Sequence, residues 1–367
     1  MVSSNLFDLS QTALPIGSLV VVSGASGCMG SHICDQLLGL GFRVRGISRN
    51  VKKSGWIETM FTKTYGPGKF ELIEVSDFST PGAFNAAVKG AHGVIHTAAD
   101  TSLDLNPDNV VSPMVSAAIG IAEAAASTPS CSRLVYTSSS SAVADPAPGI
   151  LRRITNETYN EETVIAAYSP DLRQDLVGGH TVYAAGKVKT EQALWKWYHS
   201  RAPNLVMNTV IPSPCYGEVL HPRAQGFTAA MGVLKMLWAG NGSGEIVKMF
   251  ESQFPISPIS TDGGSEWFCD VKDVASLHVG ALLLPQVKSE RLFAYAGRYT
   301  VNDFLRIFKT AYPSREFPEE VENIFEDATE VPNERSTEVL KLLGLKGWKS
   351  LEECLQPVTK QFLDASR

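Results

Sequence analysis

Tyr183 and Lys187 stand four residues apart in the run Tyr183-Ala-Ala-Gly-Lys187, a spacing that puts a phenol and an ammonium on one face of a helix. A cation beside a phenol favours its ionised form, lowering its pKa towards the range of a usable acid/base group. Upstream, Thr137-Ser138-Ser139-Ser140-Ser141 follows a short apolar run. A hydroxyl at such a strand end can donate to a carbonyl oxygen and share the charge that develops on it. Nearer the N-terminus, Gly24-Ala-Ser-Gly-Cys-Met-Gly30 has a glycine at every third position, directly after Leu19-Val-Val-Val-Ser23. Glycine permits a tight turn there and lets an anion approach backbone N–H groups at the positive start of a helix. Tyr-x-x-x-Lys alone is common by chance. Glycines, strand-end hydroxyls and the Tyr/Lys pair in this order form a constellation with chemistry in it.

The glycine run, between a buried strand and a helix, is the setting of a dinucleotide pyrophosphate site, with Gly24, Ser26, Gly27, Cys28, Met29 and Gly30 around the phosphates. An NAD site usually carries an acidic residue at the end of the second strand for the ribose 2′-hydroxyl. Here that stretch reads Gly46-Ile-Ser-Arg49-Asn-Val-Lys-Lys53, with no carboxylate before Glu58. Arg49 can stack on adenine and fork onto a 2′-phosphate, with Lys53 as a second positive charge. The expected cofactor is therefore NADP(H). Asp77, beside Phe78 just past the third strand, is placed either to meet the adenine amino group or to cap a helix.

These groups need elements to bring them together. Residues 18–23 form an unbroken apolar run, as in a strand buried on both faces of a parallel sheet. Further strands are expected at 43–48, 70–75, 93–97, 133–137 and 206–211, with helices after the glycine run to residue 40, over 110–127 and over 182–198. Strand and helix in regular alternation predict an α/β, Rossmann-type doubly wound parallel sheet. After Pro212 the texture changes, with Pro, Gly and Ser clustered at 241–244 and 255–265. This divides the chain into a dinucleotide-binding domain, 1–211, and a smaller mixed α/β lobe, 212–367, mainly for substrate, with some segments returning to the first domain. Residues 145–179 have weak periodicity and read as a substrate-side loop with short helices.

Composition narrows the classes. The 367 residues carry 32 Lys+Arg against 38 Asp+Glu, a net charge of −6, with 44% hydrophobic and 19% charged residues. That balance suits a large core and excludes disorder. Without a basic run there is no footprint for nucleic acid or an anionic membrane surface. The six cysteines, Cys28, Cys34, Cys131, Cys215, Cys269 and Cys354, have no C-x-x-C spacing, so a disulfide framework or structural zinc is not expected, and neither is any other metal. Neither a leader nor a membrane span of about 18 apolar residues is read. A cytoplasmic protein, monomer or homodimer, is the expectation.

At family level the chain resembles the extended short-chain dehydrogenase/reductases, in the branch of plant dihydroflavonol 4-reductases and fungal NADPH-dependent aldehyde and ketone reductases. The matching stretches are Leu14-Pro-Ile-Gly-Ser-Leu-Val-Val-Val-Ser-Gly-Ala-Ser-Gly27, Val44-Arg-Gly-Ile-Ser-Arg49, Leu134-Val-Tyr-Thr-Ser-Ser139, Tyr183-Ala-Ala-Gly-Lys187, Phe268-Cys-Asp-Val-Lys-Asp-Val-Ala275 and Leu343-Gly-Leu-Lys-Gly-Trp348. The resemblance implies a Ser–Tyr–Lys triad, with Ser139 as the serine by position and Ser138 and Ser140 as neighbouring alternatives. Tyr183 would protonate the carbonyl oxygen as hydride reaches carbon, and Lys187 would hold the nicotinamide ribose and depress the tyrosine pKa. Thr97, Ala98 and Ala99 resemble the loop under the ribose, and Pro212 and Ser213 the segment facing the carboxamide. The substrate so implied is a small, largely apolar carbonyl compound. A redox-neutral epimerase, dehydratase or cyclase using the same Tyr and Lys is the alternative, and a non-catalytic dinucleotide sensor a second. The sequence departs from many relatives in lacking an Asn within Ser112-Pro-Met-Val-Ser-Ala-Ala-Ile and after the sixth strand, and in its longer loop with Arg152, Arg153 and Tyr159.

Other residues read more simply. His96 is a core group outside the chemistry. Trp195 and Trp197 pack, and Asp270 and Asp273 cap a helix start and anchor a loop. Met231, Leu234, Met236 and Trp238, with Tyr216 and Phe227, either line an apolar pocket or belong to the core.

Overall fold

The computed structural model describes residues 9–147, 149–201, 204–240, 266–322, 324 and 327–365; the 241–244 and 255–265 clusters lie outside them. Leu19–Ser23 (β1) is buried at every position, as its uninterrupted apolar run requires. It pairs in parallel with Arg43–Ser48 (β2) and, on its other side, with Gly93–His96 (β4). Phe70–Glu74 (β3) flanks β2, while Arg133–Thr137 (β5), Val206–Pro212 (β6) and Arg291–Ala294 (β9) extend the sheet beyond β4. All seven strands are parallel, in the order β3-β2-β1-β4-β5-β6-β9. The order reverses between β1 and β4, so the crevice at their carboxyl ends is where an open α/β sheet binds a ligand. This is the expected Rossmann-type sheet, with β9 supplied from the second half of the chain. Cys215–Tyr216 (β7), Glu266–Asp270 (β8) and Gly297–Tyr299 (β10) make a second, mixed sheet in the order β10-β8-β7.

The helices are Cys28–Gly39 (α1), Val51–Tyr65 (α2), Asn85–Val88 (α3), Pro107–Ala126 (α4), Glu161–Ala167 (α5), Leu176–Arg201 (α6), Pro222–Gln225 (α7), Ala230–Ala239 (α8), Val271–Leu283 (α9), Val301–Ala311 (α10), Glu334–Leu342 (α11) and Leu351–Ala365 (α12). One face of the large sheet packs against α1, α2 and α9 through Ile33, Leu37, Phe61, Leu277 and Leu282. Every residue of α9 except Lys272 is buried, and Asp270 caps its start by accepting from the N–H groups of Lys272 and Asp273, as expected. The other face packs against α4 and α6 through Ala118, Ile121, Ala122, Leu194 and Trp197.

Two expectations change. The helix read over 182–198 starts at Leu176, because Asp175 accepts from the N–H groups of Val177 and Gly178 and so caps it one and a half turns earlier. And α4, 20 residues with a mean hydropathy of 1.3, is long and apolar enough by composition to cross a membrane, although no span was read from the sequence. Half of that stretch is buried in the protein, and its apolar character comes from valines, isoleucines and alanines, among them Val110, Val111, Ala118 and Ile121 in the core clusters beside α6 and the sheet.

The second lobe has its own aromatic core. Trp238 meets Phe308, Tyr312, Phe317 and Phe362, and Tyr216 packs edge-on to Tyr299 and Phe304. Met231, Leu234, Tyr216 and Trp238 are buried there, which answers the choice between pocket and core. Met236 is half-buried, and Phe227 packs on Phe362. Within 145–179, α5 is capped by Asn160, and the neighbouring strand-like turn joins the second lobe, Ile154 N–H donating to the Glu330 carbonyl and Glu330 N–H to Arg152.

Candidate active site

Gly24 leaves β1 with φ of +68°, and a Cβ there would lie 2.7 Å from Thr97 Oγ1 and 3.0 Å from Ala98 N. At Gly30 a Cβ would meet the Gly24 carbonyl oxygen at 2.2 Å. Both positions demand glycine, and the turn they allow exposes the start of α1, whose N-cap, Gly27, has no side chain to satisfy the first N–H groups. Cys28 and Met29 therefore begin the helix with free backbone donors, the cradle an anionic pyrophosphate fits. Ser23 Oγ fixes the opposite wall, accepting from Thr97 N and Ala98 N. A hydroxyl chain, Ser48–Ser54–Ser26, ties the loop to the end of β2. From the second lobe Gln225 donates to the Ser26 carbonyl at 3.2 Å and to Ser31 Oγ at 3.0 Å. No local pattern could have singled out Gln225, which lies 194 residues from Ser31.

Arg49 is exposed at the end of β2, and Lys53 is exposed in the first turn of α2; neither forms an ion pair among the described residues. Asp77 caps no helix: its carboxylate accepts from Ser79 N–H, Ser79 Oγ and Thr80 Oγ1, hydrogen bonds that hold its pKa below the usual range. Phe78 packs on Phe84.

Lys187, 2% exposed, donates from Nζ to the Thr137 carbonyl at 2.9 Å. Its ammonium sits 5.9 Å from the Tyr183 ring centroid and 5.4 Å from that of Tyr136. Burial pushes Lys187 down to about 8, against which the Glu191 carboxylate acts. Tyr183 moves the opposite way from expectation: burial pushes its phenol up to about 12, although the Ser139 hydroxyl against it favours ionisation. Lys187 faces the ring and does not overcome the loss of water, so at neutral pH the phenol keeps its proton.

Ser139 Oγ also bonds Ser141 Oγ at 2.8 Å. Ser138 is turned away, donating to Glu191, and Ser140 opens a short turn. Among the three, Ser139 is the hydroxyl against Tyr183. His96 is buried, bonded to Ser23 and held neutral near 3, chiefly by burial. Pro212 ends β6, and Ser213 beside it is buried, its Oγ donating to the Ala294 carbonyl. Cys215 and Cys269, far apart in sequence, face each other across β7 and β8 with sulfurs 3.4 Å apart, both as free thiols. Among the described residues no group of three or more His, Cys, Asp or Glu could hold a metal.

A cavity beside the serine segment is lined by Ser140 and Ser213 with Arg152, Glu266, Trp267 and Asp327, and by the apolar Ala144, Pro146 and Ile154. Burial pushes the Glu266 carboxyl up to about 8, so it is largely protonated at neutral pH. Charged and hydrogen-bonding groups thus share this lining with apolar and aromatic ones. The charged side chains come from the long loop and the second lobe, where the sequence has no readable period.

The pattern of the NAD dependent epimerase/dehydratase family matches residues 20–293. Aldehyde reductase 2 of Sporidiobolus salmonicolor is 33% identical over 352 residues, covering 95% of this chain and 97% of that one. Ketoreductase adrE of Penicillium rubens is 35% identical over 353 residues, covering 94% and 96%. Among solved structures, Gre2 from Candida albicans in complex with NADPH superposes with a TM-score of 0.77 at 21% identity, over 96% of this chain and 100% of its own.

Proposed function

The chain belongs to the NAD dependent epimerase/dehydratase family, and on that premise we propose that it is an NADPH-dependent carbonyl reductase, turning a ketone or aldehyde into an alcohol. The observation that carries this reading is a half-buried, proton-bearing Tyr183 with Ser139 against its hydroxyl and Lys187 one turn along the same helix. A reduction needs an acid at the carbonyl oxygen, and a phenol that keeps its proton at neutral pH is one. The names of the aldehyde reductase and ketoreductase relatives, and the NADPH held by the Candida albicans structure, support the same choice.

When bound, the reduced nicotinamide supplies the hydride. The backbone donors of Cys28, Met29 and Gly30, with Gly24, Ser26 and Gly27 around them, would hold the pyrophosphate, and Arg49 and Lys53 the 2′-phosphate. Asp77 and Phe78 would border the adenine, Thr97, Ala98 and Ala99 the ribose, and Pro212 and Ser213 the carboxamide. Ser139 donates to the substrate oxygen, and Tyr183 gives that oxygen its proton. The Lys187 ammonium would hold the ribose hydroxyls and lowers the cost of the phenolate left behind. We also assign cofactor binding to 1–211 and substrate binding mainly to 212–367, with β9 and α9 serving the first domain.

The test follows NADPH absorbance with aryl ketones, β-ketoesters and aldehydes, wild type beside Tyr183→Phe. Consumption by the wild type alone, with cofactor binding kept in the variant, is the expected result. Wild-type turnover by the variant would remove Tyr183 from its role. Tight NADPH binding with substrate converted and no NADPH consumed would favour a redox-neutral enzyme.

A further inference from the structure

Glu191 lies one turn beyond Lys187 on α6, and the reaction proposed above makes no use of it. Its side chain is fully buried and accepts three donors: Arg291 Nε at 2.7 Å, Arg291 Nη2 at 3.1 Å and Ser138 Oγ at 2.7 Å. Arg291, 7% exposed, spends its remaining nitrogen on the carbonyls of Asn156 at 2.6 Å and Thr158 at 3.1 Å, and its guanidinium stacks 4.2 Å from the Tyr159 ring centroid. One ion pair thus joins four elements: the catalytic helix, the end of β5 next to Ser139, strand β9 and the 156–159 turn of the long loop.

The charges around Lys187 give the pair a second consequence. Tyr183 on α6 and Tyr136 on β5 are phenols that burial keeps protonated. His96 on β4 and His278 on α9 feel the Lys187 charge and are held neutral, near 3 and 4, mainly by burial. Of the groups facing the ammonium from its own helix, from β4, from β5 and from α9, Glu191 is the one that is negative. A buried ion pair is often no more stabilising than well-packed apolar side chains. Stability alone is therefore a weak reason for charge at this spot, and the geometry offers a better one.

We propose, on the reading that this is a carbonyl reductase, that Glu191 is a positioning residue: with Arg291 it clamps the Ser138–Ser139 strand end and the 156–159 turn to the catalytic helix and keeps Lys187 charged. Two variants test this in the full chain. Glu191→Gln keeps an oxygen for Ser138 and Arg291 but removes the charge. Glu191→Gln/Arg291→Met removes both charges, so that neither is left buried alone if the single variant fails to fold, which thermal unfolding reports. In the folded single variant the basic limb of the kcat/KM profile moves to lower pH by about one unit or more, the effect of losing a near counter-charge. In the double variant kcat falls about 10- to 100-fold, as for a displaced catalytic group, and amide exchange quickens at 138–143 and 155–160. An unmoved limb in folded Glu191→Gln, or wild-type kcat and exchange in the double variant, overturns the inference. If the wild type oxidises NADPH with no carbonyl compound, the carbonyl-reductase reading falls instead. Exchange and the pH dependence of NADPH affinity by fluorescence then decide the clamp, and no change in either overturns it.

Discussion

At the scale of single residues the site is governed by how far each group is withdrawn from water. Lys187 is pushed down to about 8 by burial. Its ammonium is the form that steadies a phenolate, so the rate of the chemical step should be flat below that pH and fall as pH rises through it. Single-turnover rates across the range check this, and a profile level well beyond pH 8 would contradict it. Arg49 is the opposite case, exposed and without an ion pair among the described residues. Arg49→Ala should weaken NADPH by about 1–3 kcal/mol, the worth of a charge-assisted contact, and leave NADH nearly unchanged. Titrations with the two cofactors measure the difference, and an equal loss of both would mean that the 2′-phosphate is read elsewhere. That Tyr183, Lys187 and Ser139 come together was legible because the proposed chemistry needs those side chains at fixed spacing. Their electrostatics were not: burial outweighs the nearby cation at Tyr183, and burial is a property of the assembled fold.

At the scale of elements, strands were easier to read than helix starts. A strand covered on both faces must be apolar at successive positions, as β1 is, and a short run of this kind bounded by turn residues is easily seen. The start of α6 was obscured because it falls in the weakly periodic stretch 145–179, where Gly178 and Gly179 are poor helix formers; the Asp175 cap and close packing against Arg173 and Leu103 keep them helical. The charged groups of the cavity wall and Gln225 were illegible for another reason, since they come from segments distant in sequence and follow no period. The glycine loop is the element whose shape was most legible, and on the proposed reading its geometry makes a sharp prediction. In Gly30→Ala the added methyl meets a backbone oxygen at 2.2 Å, so the turn must open and not merely a side chain swing. NADPH affinity should drop at least about tenfold, a loss of one well-made contact or more, while far-ultraviolet circular dichroism stays near wild type. Affinity within twofold of wild type would mean that the loop is not the cofactor's cradle.

For the whole molecule, the question is whether the two lobes stand or fall together. They are stitched at several places: Gln225 holds Ser26 and Ser31, His32 bonds the Glu218 carbonyl at 2.7 Å, and β9 lies within the large sheet although it follows much of the second lobe in sequence. Trp238, 1% exposed, is the centre of the second lobe's core, with the Arg315 guanidinium over its ring. Trp238→Ala leaves a cavity among Phe308, Tyr312, Phe317 and Phe362, and should cost about 3–5 kcal/mol. If the stitching makes one cooperative unit, the variant unfolds in a single transition at lower temperature. NADPH at 100 times its Kd, which binds only the folded state, then restores about 2.7 kcal/mol to that one transition. Calorimetry with and without NADPH distinguishes this from independent lobes, which would give two transitions with the cofactor raising only one. A single transition shifted by NADPH would mean that damage to the second lobe reaches the proposed cofactor site through Gln225 and β9, so that binding at one edge of the sheet is tied to order at the other.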